Sequence, residues 1–224
     1  MKLRELIKNL SIIEMNADAE LEISGVSYDS RKTEKGDMFV AIRGFEADGH
    51  KFIPKAVENG AAVILCEEKP SCDIPYVLVS DSRYGLAIVS RDFFGDPASE
   101  MTMIGITGTS GKTSSSYLIK HMLESKLDAK VGLIGTNGNM IGDEFLHTER
   151  YELHKLFRHM ADSGCTHVVM EVSSHSLTLE RVAGIHFDVA LYTNLSQDHL
   201  DFHGTMEEYA AAKRKLFSMC SLGC

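Results

Sequence analysis

The segment Thr107-Gly108-Thr109-Ser110-Gly111-Lys112-Thr113 carries the residue types that bind phosphate. Glycines let backbone N–H groups converge on phosphate oxygens, and a helix beginning there adds partial positive charge. Lys112 is spaced to reach the terminal phosphates of a nucleotide, and the Thr113 hydroxyl to help hold Mg²⁺. The usual phosphate-loop pattern has a further Gly where this chain has Ile106, and Gly105 comes one residue too early. An ordinary Gly-rich strand-to-helix turn is the competing reading. The Gly-Lys-Thr run between a predicted strand and a predicted helix favours nucleotide.

Further along, Glu171 closes the apolar run Val168-Val169-Met170-Glu171-Val172. Ligands of open α/β sheets bind beyond the carboxyl ends of the strands, and a carboxylate there suits a hard cation such as Mg²⁺. A solvated charge at a strand end is the alternative. Two histidines follow, His175 after Ser173-Ser174 and His199 in Asp198-His199-Leu200-Asp201. His199 comes after the strand Val189 to Thr193 and a polar loop, which places it at Glu171's sheet edge if the sheet is parallel. That makes His199 a stronger metal-ligand candidate than His175. On the last helix Met206, Tyr209, Ala210, Lys213 and Phe217 share one stripe, so Lys213 occupies a core-facing position. Burial lowers a lysine's pKa, and a neutral amine reacts with CO₂ to give a carbamate that can ligate Mg²⁺. Periodicity by itself favours the plainer reading, a packed stem with a snorkelling ammonium.

The elements that must position these residues alternate between strand and helix, which predicts an α/β fold with a mostly parallel sheet. Strands are expected at Met38 to Ile42, Ala61 to Cys66, Tyr76 to Val79, Thr102 to Thr107, Val131 to Thr136, Val168 to Val172 and Val189 to Thr193. Helices are expected over Phe52 to Glu58, after Asp81 with Leu86, Val89 and Phe93 on one face, and from about Thr113 with Leu118, Met122 and Leu123 at helical spacing. Two more carry Leu153, Leu156, Phe157 and Met160, and the stripe from Met206. Asp96-Pro97-Ala98-Ser99 interrupts the pattern, which divides the chain into domains 1–97 and 98–224.

Composition narrows the class. The net charge of −9 over 224 residues argues against nonspecific nucleic-acid binding. Cys66, Cys72, Cys165, Cys220 and Cys224 form no C-x-x-C pair, which favours reduced thiols in a cytoplasmic protein. The N-terminus lacks the apolar run of a signal peptide, and no stretch reaches the ~18 apolar residues of a membrane span.

Taken together, these segments resemble the Mur ligase family along essentially the whole chain, nearest to its branch that adds the third residue of the cell-wall peptide stem. Asp29-Ser30-Arg31, Gly36-Asp37-Met38-Phe39-Val40-Ala41, Gly44 and Asp48-Gly49 look like that branch's UDP-sugar-binding N-terminal domain. Gly108 to Thr113 looks like the family's modified phosphate loop. Glu171 to His175, Asn194 to Gly204 and Ala211-Ala212-Lys213 complete the match to a P-loop ATPase domain. The resemblance implies ATP and Mg²⁺ as cofactors. It further implies UDP-N-acetylmuramoyl-L-alanyl-D-glutamate and an amino acid as substrates, joined through an acyl phosphate by a monomeric protein. It implies that Ser30, Ser173 and Arg181 contact the UDP-sugar substrate. Gly108, Thr109, Ser110, Gly111, Lys112, Thr113 and Asn194 would serve the nucleotide. Thr113, Glu171, His199 and a carbamylated Lys213 would serve the metal, with Lys112, Lys213 and His199 as the catalytic set. Two departures stand out. His147-Thr148-Glu149-Arg150-Tyr151 lacks the family's Thr-Thr-Pro substrate motif, and Cys224 falls midway through the central domain, with the amino-acid-binding C-terminal domain outside this chain. A fragment that binds without turnover, a sister Mur ligase and folylpolyglutamate synthetase are the rival readings. The Asp29-Ser30-Arg31 block speaks against the last.

Overall fold

A computed structural model describes residues 1–44, 47–146 and 153–220. The departure at His147 to Tyr151 lies outside them, as does Cys224. The chain divides into two compact units, Met1–Gly95 and Asp96–Cys224.

The first unit contains α1 (Leu3–Ile7), β1 (Ile12–Asn16), β2 (Val26–Ser27), β3 (Met38–Val40), α2 (Ile53–Glu58), β4 (Val63–Cys66), β5 (Tyr76–Val79) and α3 (Ser82–Phe93). Its sheet has the order β1-β5-β4-β3-β2, parallel except where β1 joins β5. The short apolar strands feed two cores at once. Met38, Val40, Val63 and Leu65 pack with Leu3, Leu6 and Val89, whereas Phe39, Ile64 and Cys66 pack with Ile53 and Ala56. A strand covered on both faces reads as a continuous apolar run. Asp81 caps α3 by accepting the N–H groups of Arg83 at 2.9 Å and Tyr84 at 3.0 Å.

The second unit opens at Asp96, whose left-handed backbone (φ 53°) turns the chain into the 3₁₀ turn Pro97–Glu100. It continues with β6 (Thr102–Thr107), α4 (Lys112–Leu127), β7 (Val131–Gly135), β8 (Gly138–Ile141), β9 (Glu144–Leu146), α5 (Leu153–Asp162) and β10 (His167–Glu171). The remaining elements are α6 (Ser174–Thr178), β11 (Val189–Tyr192), α7 (Leu200–His203) and α8 (Met206–Ser218). The sheet order is β11-β6-β10-β7-β8-β9. β11, β6, β10 and β7 are mutually parallel, and β8 and β9 add an antiparallel hairpin. Ile106 is level with Glu171, and Thr107 with Tyr192. The loops after three strands therefore open from one edge of the sheet. Among the described residues no helix is long and apolar enough to cross a membrane.

Two helical stripes differ from expectation. Leu118 and Met122 are exposed, and α4 instead turns Ser116, Lys120 and Leu123 inward, flanked by Tyr117 and Ile119. Apolar residues surround this helix, so spacing could not rank its faces. On α8, Phe217 is exposed against Tyr192 and Leu216 is fully buried in its place.

Gly105 faces α8 through a gap that only a hydrogen fills. A Cβ there would lie 2.8 Å from Phe187 Cδ1 and 2.9 Å from Leu216 Cδ1, both on buried side chains. Overpacking of this kind costs about 1–3 kcal/mol. Gly105→Ala is expected to lower unfolding free energy by that amount in urea titration; an unchanged midpoint would show that α8 moves freely off the sheet.

Candidate active site

The phosphate-loop residues follow β6 directly. Gly108 has φ 138° and Gly111 φ 84°, conformations that side chains resist, and a Cβ on Gly108 would overlap the Thr193 hydroxyl. The loop is braced by the segment after β11. Thr193 donates its hydroxyl proton to the Ser110 carbonyl at 2.7 Å. The Asn194 side chain accepts the Ser110 N–H at 3.1 Å and donates to the Ser110 carbonyl at 3.0 Å, while its backbone carbonyl accepts the Thr109 N–H at 2.9 Å. Asn194, expected beside a nucleotide, here grips the loop itself.

Two ammonium groups meet at one carbonyl. Lys112 donates to the Gly108 carbonyl at 2.8 Å and to that of Thr109 at 3.1 Å. Lys213 reaches the Gly108 carbonyl at 2.8 Å and lies 4.4 Å from the centre of the Tyr209 ring. Lys213 is 1% exposed, so its head does not snorkel. Burial pushes its pKa down from 10.5 to about 8, against an opposing pull from Asp198. The Lys112 pKa is lowered by burial first and by the Lys213 charge second.

Beside the loop, the Glu171 carboxylate accepts the Thr113 hydroxyl at 3.1 Å and the Thr136 hydroxyl at 3.0 Å, with the Thr136 N–H at 3.3 Å. Gly135 makes room for it: a Cβ there would stand 2.5 Å from Glu171 Oε1. An oxygen-only donor set at a phosphate loop fits Mg²⁺. A further polar atom waits nearby. The Thr107 hydroxyl is buried at the end of β6, and among the described residues nothing hydrogen-bonds it.

The histidines form a cluster of their own. The His175 and His199 rings stand 4.8 Å apart, and His203, 7% exposed, places Nε2 2.9 Å from the Ser174 hydroxyl. Burial, then the neighbouring His199, lowers the His175 pKa. His199 itself is exposed, beside Asp198 at 3.5 Å. Among the described residues no three His, Cys, Asp or Glu side chains converge as a metal-binding group. Of the expected metal set, Thr113 and Glu171 are the pair in direct contact.

Ser173 caps α6, its oxygen accepting the Ser176 N–H at 3.0 Å. Arg181 is exposed just beyond that helix. Ser30 belongs to the first unit, where it is buried and its carbonyl accepts from the Asn59 amide at 2.7 Å. Sequence reasoning missed Thr136 and Thr193. Each is a lone Thr at a strand end, with no spacing signal to single it out.

Comparison with known proteins settles the family. A sequence model described as the Mur ligase middle domain matches residues 106–223, and one described as the Mur ligase family catalytic domain matches residues 22–110. The chain belongs to the Mur ligase family. It is 46% identical to the UDP-N-acetylmuramoyl-L-alanyl-D-glutamate–2,6-diaminopimelate ligase of Clostridium tetani, over 97% of this chain and 47% of that protein. A solved structure of a ligase with the same description superposes with a TM-score of 0.84 at 30% identity, over 99% of this chain and 46% of that one. A MurF ligase from Thermotoga maritima in complex with ADP gives 0.60 at 27% identity, over 90% and 44%. The chain thus spans about half the length of the curated relatives it matches. Within this Mur ligase chain, the phosphate loop, Glu171 and Lys213 all lie in the stretch matched to the middle domain.

Two measurements follow from the buried groups. A lysine whose folded pKa is depressed penalises the fold below that pKa, and the penalty fades as pH climbs to the unfolded value. The parent should therefore gain stability relative to Lys213→Met as pH rises from about 8 to 10.5, read by urea denaturation at each pH; a pH-independent difference would mean an unshifted amine. Thr107→Val replaces an unpartnered buried hydroxyl by a methyl group and should stabilise the ligand-free protein by about 1 kcal/mol. A loss of stability by thermal melting would show that the hydroxyl has a partner after all.

Proposed function

We propose that the protein containing this chain is an ATP-dependent ligase that joins an amino acid to UDP-N-acetylmuramoyl-L-alanyl-D-glutamate in the cytoplasm, the third step of building the peptide stem. The observation that carries the reading is the 3.1 Å contact of the Thr113 hydroxyl with Glu171 beside a braced phosphate loop. The Clostridium tetani relative and the first solved structure named above are diaminopimelate ligases, so diaminopimelate is the first amine to test. The solved diaminopimelate ligase superposes better than the MurF ligase, with TM-scores of 0.84 and 0.60, which supports the third addition over the fourth.

In this reading the loop amides and Lys112 take the charge of the nucleotide's phosphates. The D-glutamate carboxylate attacks the γ-phosphorus, the bond to the β-phosphate oxygen breaks, and ADP leaves. The amine of the incoming amino acid then attacks the acyl carbon of the acyl phosphate, expelling phosphate and losing a proton. Thr113 and Glu171, joined by His199 and a carbamate on Lys213, would hold the magnesium ion, which neutralises phosphate charge when bound. The neutral amine that such a carbamate requires is favoured by the burial of Lys213. Asn194 keeps the loop in shape for the nucleotide. Ser30, Ser173 and Arg181 would contact the UDP-sugar substrate, a reading supported by the resemblance of their motifs.

A second reading has its own support. Lys112 and Lys213 both end on the Gly108 carbonyl, which suits a chain that binds nucleotide or UDP-sugar without turning it over.

ADP release by the protein expressed from its whole reading frame separates these readings. It is expected to require both UDP-N-acetylmuramoyl-L-alanyl-D-glutamate and an amine, and to fall at least about 100-fold in Glu171→Ala. Hydrolysis indifferent to the UDP-dipeptide would sink the ligase reading, and binding without release would favour the second.

A further inference from the structure

The Thr109 hydroxyl has three close partners: the Ser196 carbonyl at 3.1 Å, the Ser196 N–H at 3.0 Å and the Tyr209 hydroxyl at 3.2 Å. A hydroxyl offers one proton and two lone pairs. The Ser196 carbonyl can only accept, so it takes the proton. The Ser196 N–H can only donate, so it takes one lone pair. The remaining lone pair is left for the phenolic proton of Tyr209. All three capacities of Thr109 are filled only if Tyr209 is the donor.

Tyr209 is fully buried on α8, far along the chain from the phosphate loop. A buried phenol needs a partner for its hydroxyl, and this one finds it on the loop. Its ring meanwhile packs under the Lys213 ammonium and stands 5.1 Å from His203 and 6.1 Å from His199. Lys213 in turn ends on the carbonyl of Gly108, the neighbour of Thr109. One side chain therefore touches the phosphate loop by its hydroxyl and seats the buried lysine by its face.

We propose that Tyr209 is a positioning residue for the nucleotide: its hydroxyl fixes Thr109, and through it the loop amides up to Gly111, in the conformation that receives phosphate. Its ring seats Lys213 by a separate contact. This deepens the nucleotide reading given above and rests on it. The two contacts are separable by chemistry. Phenylalanine removes the hydroxyl and keeps the ring.

The test uses the protein expressed from its whole reading frame, with a fluorescent ADP analogue as probe. Tyr209→Phe should raise its dissociation constant about three- to tenfold, the scale of one neutral hydrogen bond. In the nucleotide-free protein, the amides of residues 108–111 should exchange with deuterium faster. Affinity for UDP-N-acetylmuramoyl-L-alanyl-D-glutamate should stay within about twofold of the parent, as expected for an effect confined to the loop. Thr109→Val removes the other half of the bond, so adding Tyr209→Phe to it should weaken nucleotide binding no further. Parental affinity and parental loop exchange in Tyr209→Phe would overturn the proposal, as would effects of the two substitutions that multiply; Tyr209 would then be a packing residue. Should Tyr209→Phe fail to fold, 4-fluorophenylalanine at position 209 fills nearly the phenol's space without its donor proton: weaker binding of the analogue supports the proposal, and parental binding sinks it. A parent protein that does not bind the analogue would bring down the nucleotide reading itself, and this inference with it.

Discussion

The parallel register of β6 between β10 and β11 is the constraint from which the rest of the site follows. It levels Thr107 with Tyr192 and Ile106 with Glu171, so three strands release their chains at one edge. A slip by one residue would reverse the side chains of the slipped strand to the opposite face. Gly105 would then no longer lie under Leu216, nor Glu171 beside Thr113. The two-sided apolar core, Met103 and Val168 on one face and Ile104, Ile106 and Val169 on the other, makes such a slip costly and so holds the edge in register.

On that edge the phosphate loop is shaped less by its own sequence than by the segment from Thr193 to Ser196. Hydrogen bonds from Thr193, Asn194 and Ser196 hold the backbone or side chains of Thr109 and Ser110. This bracing explains how a loop with Ile106 in place of the usual first glycine keeps its form. Gly108 is the glycine that the fold requires, because the Thr193 hydroxyl occupies the space of its side chain. The two lysines then share the Gly108 carbonyl.

Much of this arrangement was legible in the residues. Strand–helix alternation gave a mostly parallel sheet, because crossover helices cover both faces and leave continuous apolar runs such as Val168 to Met170. Glu171 was readable as a strand-end carboxylate. Lys213 was readable as a core-facing lysine, though periodicity leaned toward a snorkelling head and the structure shows full burial. What stayed hidden was pairwise. Leu118 and Met122 have helical spacing yet face outward, since spacing defines a stripe without saying what packs on it. β1 and the clamp by Asn194 depend on partners distant in sequence, for which a local pattern carries no signal. The same holds for the Tyr209–Thr109 contact across 100 residues.

Gly135 shows where such distant pairing leads. It belongs to no motif and has no unusual backbone, yet the carboxylate of Glu171 occupies the volume its side chain would fill. The atom in the way is the free end of a flexible chain, which can swing aside at little energetic cost. A methyl group at this position would leave the fold intact and misplace one oxygen. Protein of that kind would express and melt normally while its chemistry suffered. Tolerance measured by abundance and tolerance measured by function should therefore part company at Gly135, a glycine kept for another residue's reach.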